Sequence, residues 1–183
     1  YKSFRSFQEE TIQSVLGGRD SLTVLPTGGG KSLCFQLPAL IKDGVAVVVS
    51  PLISLMKDQV DALNDMGIPS VCLNSSLSVK PHKISMDQIR NQTIKLIYLA
   101  PEKLKNEAII SLFKTVNLSF FVIDEAHCIS HWGHDFREEY RNLWMIKKMF
   151  DPISVHAFTA TATDQVKDDI VEQLRFHNAA VHV

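Results

Sequence analysis

The sequence predicts a three-layer α/β domain with a mostly parallel sheet, and three observations predict it. Short apolar runs rich in β-branched residues alternate with helix-like stretches along the 183 residues. Most of those runs are continuous rather than alternating, as in strands covered on both faces. A glycine-rich turn follows the first run and opens a helix, the arrangement that holds phosphate in such folds.

The strand runs are Ser21–Leu25, Val45–Ser50, Ser70–Leu73, Ile94–Leu99, Leu118–Ile123 and Ser154–Thr159. Before the first of them, Phe7–Leu16 reads as a helix with Ile12, Val15 and Leu16 on one stripe and Gly17-Gly18 as its stop. A helix over Leu52–Met66 places Leu52, Leu55, Met56, Gln59, Val60 and Leu63 on one face, with Gly67 just past its end. The polar stretch Asn74–Asn91 predicts a loop and a helix away from the chemistry. Asp164–Leu174 buries Val166, Ile170, Val171 and Leu174. Repeated β-α alternation implies right-handed crossovers.

The length fits one domain over residues 1–183, without internal repeat or linker. Such a domain buries roughly 70% of its unfolded surface and needs no disulfide or metal staple. Hydrophobic residues at 45% and charged residues at 21% are ordinary for a globular protein. The net charge of −1 offers no pointer to nucleic acid. Cys34, Cys72 and Cys128 are odd in number and form no CxxC pair, which favours a reducing, intracellular setting. No membrane partner is expected, because no run approaches the roughly 18 apolar residues of a span. Glycosylation triplets start at Asn74, Asn91 and Asn117, and read as chance because nothing else points to secretion. A start at Tyr1 rather than Met reads as a trimmed fragment.

The strongest local signal is Pro26-Thr27-Gly28-Gly29-Gly30-Lys31-Ser32. Glycines let the backbone wrap phosphate oxygens and turn its N–H groups inward, and the helix N-terminus adds a favourable dipole. Thr27 and Gly28 to Gly30 form the cradle, Lys31 reaches the β- and γ-phosphates, and the Ser32 hydroxyl holds Mg²⁺. The expected cofactors are ATP and Mg²⁺. A second signal is Phe120-Phe121-Val122-Ile123-Asp124-Glu125-Ala126-His127, an apolar strand delivering two carboxylates at its C-terminal end. Asp124 would hold Mg²⁺ with Ser32, while Glu125 would orient and deprotonate the attacking water.

Asp124-Glu125-Ala126-His127 is similar to the second motif of superfamily 2 helicases, and Phe158-Thr159-Ala160-Thr161-Ala162-Thr163 to the third. Val49-Ser50-Pro51-Leu52-Ile53-Ser54-Leu55 resembles motif Ia, and Tyr98-Leu99-Ala100-Pro101-Glu102 motif Ib. The strict phosphate-loop pattern wants Gly at position 25, where Leu stands, and helicase-type loops relax that position. Cys128-Ile129-Ser130-His131-Trp132-Gly133-His134-Asp135-Phe136-Arg137 then looks like the aromatic-rich loop of RecQ-type DNA helicases, with His131 where Gln is more usual. The resemblance covers nearly the whole chain. It implies the first RecA-like lobe of a P-loop NTPase motor.

The resemblance also implies roles. Ser50, Pro51 and Ser54 would lie on the nucleic-acid path, where hydroxyls and amides meet phosphates. Trp132 and Phe136 would offer faces for base stacking, worth roughly 1–3 kcal/mol per base, with His134 and Arg137 beside them. Strand binding there would reposition Glu125 and His127, completing a catalytic set of Lys31, Asp124, Glu125 and His127. Thr159 and Thr161 would couple nucleotide state to strand movement. Tyr1 would stack on adenine and Arg5 and Gln8 would contact the base, although Ser6 stands where Pro is usual. Zinc in the aromatic loop is not expected, because its Cys-His spacing is irregular and unpaired. The family's zinc module lies C-terminal to both motor lobes.

ATP in that family sits between two lobes, and the second supplies the arginines that stabilise transition-state charge. The expected partners are therefore a second motor lobe and DNA, as single-stranded tail and duplex junction, with three-prime to five-prime movement. This chain alone is expected to bind nucleotide weakly, hydrolyse it poorly and unwind nothing. A DEAH-type RNA helicase lobe and a non-catalytic nucleic-acid-binding module stay open as alternatives. Gly-Gly-Gly-Lys-Ser and Thr-Ala-Thr speak against the first, and intact Lys31, Ser32, Asp124 and Glu125 against the second.

Overall fold

The computed structural model describes residues 3–5, 7–73 and 79–183, without the side chains of 79–82. Among the described residues one seven-stranded, wholly parallel sheet runs in the order β3-β4-β2-β5-β6-β1-β7. The strands are β1 Ser21–Val24, β2 Val45–Val49, β3 Ser70–Leu73, β4 Leu96–Leu99, β5 Leu118–Ile123, β6 Val155–Thr159 and β7 Ala180–His182. The helices are α1 Gln8–Leu16, α2 Lys31–Ile41, α3 Ile53–Asp65, α4 Val79–Arg90, α5 Glu107–Phe113, α6 Trp144–Phe150 and α7 Asp164–Gln173. No helix among the described residues is long and apolar enough to cross a membrane.

The continuous apolar strands divide residue by residue between two cores, because successive side chains point to opposite faces. Val45, Val47, Val49, Phe121 and Ile123 meet α5, α6 and α7 through Phe113, Phe150 and Ile170. Ala46, Val48, Phe120 and Val122 meet α1, α2 and α3 through Val15, Phe35 and Met56. Phe35 packs edge-on against Phe158 at 5.4 Å between centroids, fixing the phosphate-loop helix to β6. His156 is buried between Ser21 Oγ at 2.8 Å and Ser154 Oγ at 2.9 Å, so two hydroxyls satisfy the imidazole where β1 meets β6.

Several expectations need correction. β7 was not expected. Leu52 lies at the N-cap of α3 and is 42% exposed, so the buried stripe is Met56, Val60 and Leu63. The 94–95 backbone precedes rather than joins β4. Helices α5 and α6 add to those expected. Asn106 caps α5 by accepting from the Ala108 and Ile109 amides.

Parallel strands bring all their C-terminal ends to one edge. The glycine loop follows β1, Ser50-Pro51 follows β2, Ala100-Pro101 follows β4, the acid pair follows β5 and Ala160–Thr163 follows β6. Backbone bonds tie these ends together. Leu25 N–H donates to Thr159 O at 3.0 Å, Asp124 N–H to Val49 O at 2.8 Å and Ser50 N–H to Leu99 O at 3.1 Å.

Candidate nucleotide and nucleic-acid site

The glycine loop is shaped by its own backbone. Gly28 and Gly30 have φ of 77° and 83°, which side-chain-bearing residues rarely adopt. Gly30 is the N-cap of α2, and a Cβ there would lie 2.4 Å from Gln8 Nε2. Gly30→Ala should therefore lower stability by about 1–3 kcal/mol, read by urea denaturation of the nucleotide-free chain. Lys31 Nζ donates to Leu25 O at 3.2 Å and so lies over its own loop.

Gln8 holds the loop from behind. Its Nε2 donates to Gly29 O at 3.2 Å and Gly30 O at 3.3 Å, and its Oε1 accepts from the Arg5 amide at 2.7 Å. The Arg5 guanidinium donates to Gly28 O. Both residues thus brace the phosphate loop, a duty that sequence reasoning did not assign them. They also border a cavity of about 770 Å³ with Ser3, Phe4 and Leu33, large enough for a nucleobase. Tyr1, expected on adenine, lies outside the described residues.

Asp124 and Glu125 sit where β5 ends. Glu125 adopts φ 51°, a left-handed conformation costly for a non-glycine residue, and starts the 3₁₀ turn Ala126–Ile129. The Glu125 N–H donates to Asp124 Oδ1 at 3.0 Å, and buried Tyr140 donates its hydroxyl to Asp124 O at 3.0 Å. Burial pushes the Asp124 carboxyl up to about 6, with the Glu125 charge adding to the rise; the Glu125 amide and Lys31 oppose it. Neighbouring carboxylates disfavour each other's charge, which a bound cation would relieve.

The donor set fits a magnesium ion carried with a nucleotide. Asp124, Ser32, Ser50 and Tyr98 border one small cavity of about 20 Å³, room for a single water. Ser50 is 2% exposed, and its Oγ is buried without a hydrogen-bond partner. Such a hydroxyl is costly unless something else fills the cavity. The Ser50 side chain is buried and borders the same small cavity as Asp124, whereas Ser54 is exposed and Pro51 half-buried.

His127 bridges the acid pair to β6. Its Nδ1 lies 2.9 Å from Thr159 Oγ1 and 3.3 Å from Glu125 Oε2. The Thr159 hydroxyl donates onward to Thr161 O at 3.2 Å, so Thr159 Oγ1 accepts and Nδ1 carries the proton. Burial lowers the His127 pKa more than the Glu125 charge raises it, which keeps the ring neutral. Thr161 is exposed on the rim of a cavity of about 560 Å³ that it shares with Thr27, Pro51, Glu125, His127 and His134.

The aromatic loop folds back over that turn. A Cβ on Gly133 would meet His127 O at 2.5 Å, so only glycine allows the approach. His134 stacks on His127 at 4.3 Å. Trp132 is 68% exposed, free for stacking. Phe136 is half-buried and stacks on His131 at 3.7 Å, so one of its faces is already covered. His131, a departure from the family pattern, has that packing duty. Arg137 meets a carboxylate, Asp135, at 3.0 Å.

A family profile described as DEAD/DEAH box helicase matches residues 5–169. The ATP-dependent DNA helicase RecQ of Pasteurella multocida is 45% identical over 183 residues, covering 100% of this chain and 29% of that protein. The ATP-dependent DNA helicase RecQ of Bacillus subtilis is 45% identical over 176 residues, 95% of this chain and 30% of that protein. The chain thus spans under a third of either relative. A solved structure of a hypothetical ATP-dependent RNA helicase from Sulfolobus tokodaii superposes with a TM-score of 0.73 at 18% identity, over 100% of this chain and 54% of that one. At that identity the likeness concerns the fold alone.

Proposed function

The chain belongs to the DEAD/DEAH box helicase family, and from that premise we propose that it is the ATP-binding lobe of a RecQ-type DNA motor. The full-length protein would couple MgATP hydrolysis to three-prime to five-prime movement on single-stranded DNA, and so to duplex unwinding in repair and recombination. The observation that carries this reading is the convergence of Ser32, Asp124 and Ser50 on one cavity, with Glu125 and His127 on the next.

The residues divide the work by position. The amides of residues 28–32 and the Lys31 ammonium would take the phosphates, once Lys31 leaves Leu25 O. Ser32 and Asp124 would hold the magnesium ion, which neutralises phosphate charge when bound. Glu125 would take a proton from the attacking water. His127 would report the change to Thr159 and to the loop carrying Trp132. A second lobe would close the cleft. Exposed Ser54 and Trp132 would meet the DNA strand.

Ser50 gives this reading a specific test. Ser50→Ala should weaken MgATP binding about 10-fold, the value of one hydrogen bond to a charged group. It should leave ATP binding in EDTA unchanged and the stability of the nucleotide-free chain equal or higher, because an unpaired buried hydroxyl is removed. Equal loss with and without magnesium would contradict it. Asp124 gives a pH signature. Its carboxyl is raised to about 6, so protons compete with the metal as pH falls through that value. MgATP affinity should drop by up to about tenfold per pH unit below 6, relative to the profile of Asp124→Asn. Isothermal titration at pH 5 to 8 reads both.

A DNA partner is favoured over RNA by the RecQ relatives. Stimulation of the full-length ATPase by single-stranded DNA well above that by RNA is the expected result. Equal stimulation by both would return the DEAH-type RNA reading.

A further inference from the structure

The turn behind the acid pair brings Asp135 back to the adjacent pair His127 and Cys128. Cys128 Sγ lies 3.8 Å from His127 Nε2 and 3.8 Å from Asp135 Oδ2. Ligand atoms from all three residues lie within 4.8 Å of one another. Tetrahedral zinc bonds of about 2.0 Å to nitrogen or oxygen and 2.3 Å to sulfur put neighbouring ligands roughly 3.5 Å apart, so small side-chain movements suffice.

The orientation of His127 fits as well. Thr159 Oγ1 and Glu125 Oε2 both face Nδ1, so Nδ1 bears the hydrogen and Nε2 presents its lone pair toward the thiol. Metal-binding histidines are set by such a carboxylate or oxygen partner on the far nitrogen. His127 and Asp135 also line the cavity of about 560 Å³ beside Glu125, while Cys128 is fully buried. Arg137 opposes the site, since its guanidinium shares Asp135.

We propose that His127 Nε2, Cys128 Sγ and an Asp135 oxygen form a site for a thiophilic divalent cation of the Zn²⁺ class, one that locks the aromatic loop against the acid-pair turn. The metal replaces the thiol proton, which leaves to solvent, and no electron changes hands. The bound ion ties Asp135 to His127, so the loop cannot move relative to Glu125. On the motor reading above, occupation suppresses the DNA-stimulated part of ATP turnover.

Titrating this chain with Co²⁺ tests the site without any catalytic readout. One equivalent should give intense visible bands of tetrahedral thiolate cobalt, displaced by Zn²⁺. The bands should vanish in Cys128→Ser and persist in Cys34→Ser and Cys72→Ser. Asp135→Asn should weaken Zn²⁺ binding at least about 10-fold, the lower end of what even an outer-shell change costs. Arg137→Met should tighten it. Far-UV circular dichroism checks that each variant is folded, and Asp135→Asn decides if Cys128→Ser is not. Absence of the bands, or bands surviving in Cys128→Ser, overturns the site. In the full-length protein, one equivalent of Zn²⁺ should reduce DNA-stimulated ATPase in wild type and spare Asp135→Asn. Equal response of both overturns the lock. A wild-type protein without any ATPase would instead sink the motor reading and leave the cobalt result standing.

Discussion

On the proposed motor reading, this chain by itself should turn over ATP about 10³–10⁵-fold more slowly than a full-length protein that carries a second lobe. The lobe holds Lys31, Ser32, Asp124 and Glu125 at one sheet edge, where the proposed reading has them grip phosphate and aim a water. Charge developing on the transferred phosphoryl group needs a cation on its open side. The residues lining the cavity beside Glu125 include no arginine. Arg137 is engaged by Asp135 and Arg5 by the glycine loop. A guanidinium from outside the chain would supply what is missing, and such a residue is worth that factor in rate. Phosphate release at saturating MgATP, measured for both proteins with single-stranded DNA present, checks it. Rates within tenfold of each other would mean that this lobe is self-sufficient.

Glu125→Gln should lower turnover in the full-length protein by about 10²–10⁴-fold while leaving MgATP affinity little changed. The amide has the shape of the carboxylate but cannot accept a proton from water. The proposed reading makes Glu125 that base. Its backbone stands at φ 51° and its side chain is 22% exposed, neither sealed in nor fully solvated. Structural damage would instead lower affinity and turnover together. Single-turnover hydrolysis and equilibrium nucleotide binding on the same preparation separate the two outcomes.

Much of this arrangement was legible in the sequence because its signals are local. Val45–Val49 and Leu118–Ile123 announce buried parallel strands by unbroken apolar runs. Gly28-Gly29-Gly30-Lys31-Ser32 announces a glycine turn between β1 and α2 because its signal is contiguous. What stayed hidden depends on contacts across the fold. β7 spans three residues at an edge and buries little, so no apolar run marks it. Ser50 lies in a motif that the family resemblance assigns to nucleic acid, and only the fold shows that its hydroxyl is buried just past β2. Gln8 meets the glycine loop 21 positions away, through a packing of α1 on α2 that periodicity does not specify. The approach of Asp135 to His127 and Cys128 requires the loop reversal at Gly133, which no ligand-spacing rule contains.

A crystal structure of this chain with a non-hydrolysable ATP analogue and Mg²⁺ confronts the central claim most directly. The β- and γ-phosphates should lie within hydrogen-bonding reach of the residue 28–32 amides and Lys31. The metal should sit between Ser32 and Asp124, with the Ser50 hydroxyl satisfied. Phosphates bound elsewhere, or a metal that touches neither residue, would contradict it.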